Sequence, residues 1–175
     1  MTTFQVGYFV GSLSSTSINR VLSRALIRLA PADLEFTEIP IGNLPLYSQV
    51  YDSDFPPPAR ALKAAIAAVD ALLYVTPEYN RSIPGALKNA IDWASRPWGE
   101  NSFDHIPAAV IGASIGQIGT AMGQQSLRAW QNCQDHADVR AELGHVAAEE
   151  LSRGVVGDLA VLQEHLRGVL DVRLG

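Results

Sequence analysis

The chain reads as an α/β protein built on a parallel, doubly wound sheet, and three observations predict it. Three short apolar runs, Gln5–Val10, Ala71–Val75 and Ala108–Ile111, have the unbroken character of strands buried on both faces. Each run opens into a small or polar loop, and after each loop the apolar residues recur at helical spacing. Such alternation with right-handed crossovers sets the strands parallel and gathers the three loops at one edge of the sheet. Open α/β proteins hold their ligands at that carboxyl edge.

Composition narrows the class further. A length of 175 residues suits one domain, 1–175, with room for a substantial core. Hydrophobic residues make up 47% and charged residues 18%, a globular balance. The net charge of −5 and the lack of any Lys/Arg cluster argue against nucleic acid as a partner and against anionic membranes. No run approaches the roughly 20 apolar residues of a membrane span, and the first residues lack the basic start of a signal peptide. Cys133 is the only cysteine, so no intramolecular disulfide can form, in keeping with a reducing compartment. The expectation is a soluble cytoplasmic protein.

Taken in order, Gln5–Val10 is a strand ending in the hydroxyl-rich loop Gly11–Ser17. The following helix carries Ile18, Val21, Leu22, Ala25, Leu26 and Leu29 on one stripe, with Thr16 or Ser17 as its N-cap and Pro31 beyond its end. Free of acidic groups, that loop offers backbone N–H groups and the positive helix end to a phosphate; the plainer reading is a serine-rich capping turn. It is neither a Walker loop nor a Gly-x-Gly-x-x-Gly fingerprint. Leu34–Ile39 suits a strand nearer the sheet edge, and Pro40–Pro58 is a proline-rich loop. A helix over about 58–69 leads to the strand Ala71–Val75, which Thr76-Pro77 ends because proline cannot donate to the ladder. Beyond Pro84-Gly85, Leu87, Ala90, Ile91 and Ala94 mark the next helix. The strand Ala108–Ile111 opens into Gly112–Gly119, ahead of a helix over about 121–135. A last, rather polar strand is expected over 136–142, then a loop or frayed helix over 144–157 and a final helix over 158–171.

The stretch from Thr76 to Pro97, TPEYNRSIPGALKNAIDWASRP, resembles the signature of the NAD(P)H-dependent FMN reductases, a flavodoxin-like group that includes chromate, quinone and azo-dye reductases. The likeness covers roughly residues 5–130 and fades beyond. It implies a flavodoxin-like sandwich with a five-stranded parallel sheet in the order 2-1-3-4-5, FMN as cofactor, and NADPH or NADH as co-substrate. The group's first loop grips the FMN phosphate, and Gly11, Ser12, Leu13, Ser17 and Asn19 match it, whereas Ser14 stands where an arginine is usual. The resemblance thus places Ser12, Leu13, Ser14, Ser17, Ile18 and Asn19 at the cofactor, with Pro77, Glu78, Tyr79, Asn80 and Arg81 along its ring and Ser114 and Gly116 near the ring.

The cofactor's own chemistry then explains why no acid/base or nucleophilic constellation stands out. The four histidines share no metal-ligand spacing and read as structural or solvated; Cys133 reads as an inert thiol. The implied acceptor is a quinone, azo compound, metal oxyanion or free flavin. A homodimer or homotetramer is expected, because the group uses the Pro84–Trp93 helix at a subunit contact and Trp93 and Trp98 suit a rim; core positions are the plainer account for both. Two other readings remain: a flavodoxin-type electron carrier, and a relative that has lost its flavin and acts by binding.

Overall fold

The computed structural model describes residues 3–132 and 145–147. In chain order the elements are β1 Phe4–Val10, α1 Ile18–Leu29, β2 Leu34–Glu38, a short 3-10 turn Gln49–Tyr51, α2 Pro57–Ala67, β3 Ala71–Val75, α3 Gly85–Ala94, β4 Ala108–Ser114, α4 Ala121–Asn132 and β5 His145–Ala147. The strands form one sheet in the order β2-β1-β3-β4-β5, and every pairing is parallel. This is the flavodoxin-like arrangement expected from the sequence, with β2 at the edge.

Side chains alternate across β3 as its apolar run requires. Ala71, Leu73 and Val75 face a core closed by Leu22 and Leu26 of α1. Leu72 and Tyr74 face the opposite core, built with Leu62 and Ile66 of α2, Leu87 and Ile91 of α3, and Leu127 of α4. The sheet is therefore covered on both faces, and only its edges are free to present loops.

Two boundaries differ from expectation in ways that matter. β4 runs three residues further, so Ser114 is the last strand residue rather than part of the loop. The fifth strand pairs Gly112, Ala113 and Ser114 with His145, Val146 and Ala147, in a segment expected to be loop or frayed helix. Three residues are too few to carry a period, and it is the exposed ladder of β4 that makes them a strand. The strand expected over 136–142 and the helix expected over 158–171 lie outside the described residues.

Trp93 is core, not rim. It is wholly buried, whereas Trp98 is 89% exposed. Tyr47 and Phe55 meet the Trp93 ring edge-on, each with centroids 5.2 Å away, and its Nε1–H donates to the Pro45 carbonyl at 2.7 Å. The Asn89 amide completes the fastening: it accepts the Tyr47 N–H at 2.8 Å and donates to the Pro45 carbonyl at 2.9 Å. The proline-rich loop is thus nailed to α3 by side chains, and truncating Trp93 to alanine would cost about 3–5 kcal/mol.

Candidate functional site at the carboxyl edge

Three loops meet where β1, β3 and β4 end, and backbone geometry draws them together first. The Gly11 N–H donates to the Val75 carbonyl and the Thr76 N–H to the Ile111 carbonyl, each at 2.9 Å. A Cβ on Gly11 would lie 2.3 Å from Thr76 Oγ1, and one on Gly112 would lie 2.2 Å from the Thr76 carbonyl oxygen. Only glycine fits on either side of Thr76, because such separations are far inside van der Waals contact. Thr76 is itself buried and turns its hydroxyl onto the Pro77 carbonyl at 2.9 Å. The sequence matched Gly11 to a motif but gave Thr76 and Gly112 no part in this floor; glycine inside the apolar β4 run was the available signal.

The first loop is an N-terminal cradle. Ser17 caps α1, its Oγ accepting the Arg20 N–H at 3.3 Å. Ser12 is buried and accepts the Ser14 N–H. Ser14 is exposed and turned on itself: its hydroxyl pairs with Thr16 Oγ1 at 3.1 Å and accepts the Thr16 N–H at 3.2 Å. Among the described residues, the N–H groups of Ser15, Ile18 and Asn19 meet no acceptor. Unpartnered N–H groups at the positive end of a helix, with hydroxyls beside them and no carboxylate in the loop, fit a phosphate. Leu13, largely exposed, gives the loop an apolar rim.

Asn19 does something else. Its side chain is buried and bonded to the Ala113 backbone, so only its backbone N–H faces the cradle's chemistry. Arg20 is likewise committed, with Nη1 at 2.8 Å from both oxygens of Glu38. Tyr8 joins the same carboxylate at 3.3 Å; burial, and then Glu38, raise its phenol above the ordinary range.

The second loop runs from Pro77 to Ser82. Tyr79 and Ser82 exchange both backbone hydrogen bonds, at 2.9 and 3.0 Å. Between them Asn80 and Arg81 have φ of 51° and 65°, the two positive values of a type I′ turn. Tyr79, Asn80 and Arg81 stand exposed at the rim. Glu78 points inward to α4, where its Oε2 accepts the N–H groups of Met122 at 2.8 Å and Gly123 at 3.2 Å. It is a helix cap supplied from a distant loop, and the negative charge suits the helix's positive end.

The third loop follows β4. Ser114 Oγ accepts the Gly116 N–H at 3.1 Å, and Gly119 closes the loop at a φ of 66°. Ile115 is 92% exposed. Below it, the buried Gln124 donates to Thr120 Oγ1 at 3.0 Å and accepts from Arg128 at 3.3 Å, a polar thread along α4 that sequence reading missed. All the expected site residues therefore share one edge, while the side chains of Asn19 and Glu78 brace it from within. Among the described residues, no group of His, Cys, Asp and Glu is placed to hold a metal.

Comparison with known proteins bears on the family and the fold. Residues 4–150 match the NADPH-dependent FMN reductase family. A 2-hydroxy-1,4-benzoquinone reductase from Burkholderia sp. is 58% identical over 124 residues, 71% of this chain and 68% of that protein. A quinone reductase from Pseudomonas putida is 46% identical over 117 residues, 66% of this chain and 63% of the relative's length. Among solved structures, a flavoenzyme NAD(P)H:(acceptor) oxidoreductase from Paracoccus denitrificans superposes with a TM-score of 0.76 at 38% identity, covering 95% of this chain and 98% of the other. With its fold matched and the family model spanning residues 4–150, the chain belongs to the NADPH-dependent FMN reductase family.

Proposed function

We propose that this chain is an FMN-dependent oxidoreductase that takes electrons from NADPH or NADH and delivers them to a small acceptor, a quinone foremost. The observation that carries the reading is the tied carboxyl edge: Asn19 fixes the first loop to β4, and Glu78 fixes the second to α4. A site braced in this way is preorganised, which is what a bound cofactor needs from its protein.

Ser12, Ser14, Ser17, Ile18 and Asn19 would hold the phosphate through hydroxyl and backbone N–H groups, with Leu13 at its margin. Pro77, Glu78, Tyr79 and Asn80 would border the ring on one side, with the exposed Arg81 beyond them at the mouth of the site, and Ser114 and Gly116 on the other. Bound FMN supplies the redox chemistry, accepting hydride from nicotinamide and releasing electrons to the acceptor. The residues bind, orient and shield. The exposed rim of Leu13, Tyr79, Ile115 and Ile118 suits a flat apolar acceptor such as a quinone.

The same reading includes a homo-oligomer in the cytoplasm. Leu46 and Val50 are 82% and 76% exposed, close in sequence on the loop that Trp93 and Asn89 hold rigid, and rigid exposed apolar groups favour a subunit contact. The single Cys133 is in keeping with a reducing compartment. Among the described residues, no helix is long and apolar enough to cross a membrane.

The test is steady-state oxidation of NADPH and NADH by FMN-loaded protein with 1,4-benzoquinone as acceptor, alongside light scattering. Turnover by an oligomer is expected. Protein that holds FMN but oxidises neither nucleotide would be an electron carrier, contrary to this reading.

A further inference from the structure

Arg81 occupies a position that its backbone does not favour. The Tyr79–Ser82 turn has positive φ at both central residues, and Asn-Gly is the pair such a turn prefers. Asn80 obeys that preference; Arg81 departs from it and bears the steric penalty of a Cβ in the left-handed region. A residue kept against its backbone preference points to its side chain.

That side chain is exposed at the rim of the carboxyl edge, and among the described residues it has no carboxylate or hydrogen-bond acceptor. Several other cations are engaged. Arg20 is held by Glu38, Arg60 by Asp54 and Lys88 by Asp92. Lys63 is spent on the carbonyls of Ala94, Arg96 and Glu100. Arg81 is therefore an available, permanently charged fork, set beside the half-exposed Tyr79 at the mouth of the site.

We propose that Arg81 recognises a phosphate of the incoming nicotinamide dinucleotide and so contributes to the choice of hydride donor. This rests on the reading of the chain as an NAD(P)H oxidoreductase. A cation on the rim suits an anion that arrives and leaves at each turnover, whereas the cofactor's phosphate has its own cradle at the α1 terminus. Guanidinium–phosphate pairing supplies a bidentate, charge-assisted contact that a neutral side chain cannot replace.

The decisive variant is Arg81→Gly, because glycine is the residue this turn prefers, so a loss of binding cannot be laid to misfolding. Wild type, Arg81→Gly and Arg81→Lys are compared by thermal unfolding, FMN affinity, equilibrium binding of NADP+ and NAD+, and KM and kcat for NADPH and NADH. Arg81→Gly is expected to unfold at or above the wild-type temperature with FMN affinity kept. Dinucleotide binding should weaken about tenfold, expressed in KM more than in kcat, and lysine should recover part of it. Loss confined to NADP(H) assigns the contact to the 2′-phosphate; equal loss for both dinucleotides assigns it to the shared diphosphate. Unchanged dinucleotide binding, or a loss of FMN affinity as large as the change in KM, overturns the proposal. Wild-type protein that oxidises neither nucleotide would instead overturn the functional reading on which it rests.

Discussion

Asn19 and Ala113 hold each other in both directions. The Asn19 amide donates to the Ala113 carbonyl at 3.0 Å, and its oxygen accepts the Ala113 N–H at 2.8 Å, across 94 residues of sequence. The pair fastens the loop before α1 to the strand that carries Ser114, tying two of the three loops at the carboxyl edge.

Replacing Asn19 by alanine therefore strands a buried donor and a buried acceptor. The expected loss is about 2–4 kcal/mol in urea unfolding, with a parallel loss of FMN affinity, since unmade buried hydrogen bonds cost more than made ones gain. Asn19→Asp keeps the acceptor but buries a carboxylate with one oxygen against the Ala113 carbonyl, so it should cost at least as much as alanine. A change within about 0.5 kcal/mol would show that the pair is not a brace.

Glu78 performs the matching task for the second loop. Glu78→Ala should cost about 1–2 kcal/mol through the uncapped Met122 and Gly123 N–H groups. Glu78→Gln, which retains an acceptor oxygen, should restore part of that stability. If alanine and glutamine prove equally harmful, the carboxylate acts by its charge rather than as a cap.

Tyr74 offers a gain instead of a loss. Its ring stacks on Phe9 at 5.1 Å, but its hydroxyl is buried without a hydrogen-bond partner among the described residues. Tyr74→Phe should stabilise the fold by about 1 kcal/mol or more, since the orphaned hydroxyl is removed and the ring kept. Burial also pushes this phenol well above its ordinary 10.0. The unfolded chain can ionise above that pH and the folded one cannot, so the phenol's contribution is intact below about pH 10 and is lost as pH rises further. Unfolding midpoints measured between neutral and strongly alkaline pH should show this fall in wild type, and less of it in Tyr74→Phe.

In the proposed site, Ser14 would set how firmly the cofactor stays. Its hydroxyl is shared with Thr16 and the nearby Arg20 is bound to Glu38, so this loop would meet a dianionic phosphate with no free cation of its own. Ser14→Arg should tighten FMN binding about tenfold and make it more sensitive to salt. Equal affinities for the two proteins would mean that the phosphate does not depend on this position.

The layered fold was legible because its signals are repetitive: β3 is apolar at every position, and Leu22 and Leu26 of the α1 stripe face the sheet, although Val21 and Leu29 of that stripe are exposed and Asn19 and Ser23 are buried in their place. β5 was not, since His145–Ala147 is too short to show a period and owes its conformation to β4. The gathering of the three loops at one edge was readable from the order of the elements, but the side-chain directions within them were not. A motif aligns residues without saying which way they point, and Asn19 and Glu78 turn into the protein to satisfy backbone groups on distant elements. Trp93 and Trp98 look alike in sequence; only the loop folded over α3 makes the first a core residue.

The most direct test of the whole account is an anaerobic titration of purified, FMN-reconstituted protein with NADPH, followed by the flavin's visible absorbance. The account predicts that the chain binds FMN in a one-to-one complex, that NADPH bleaches the colour stoichiometrically, and that adding a quinone restores it. A chain that cannot be loaded with excess FMN, or a loaded one that keeps its colour with both NADPH and NADH, would contradict it.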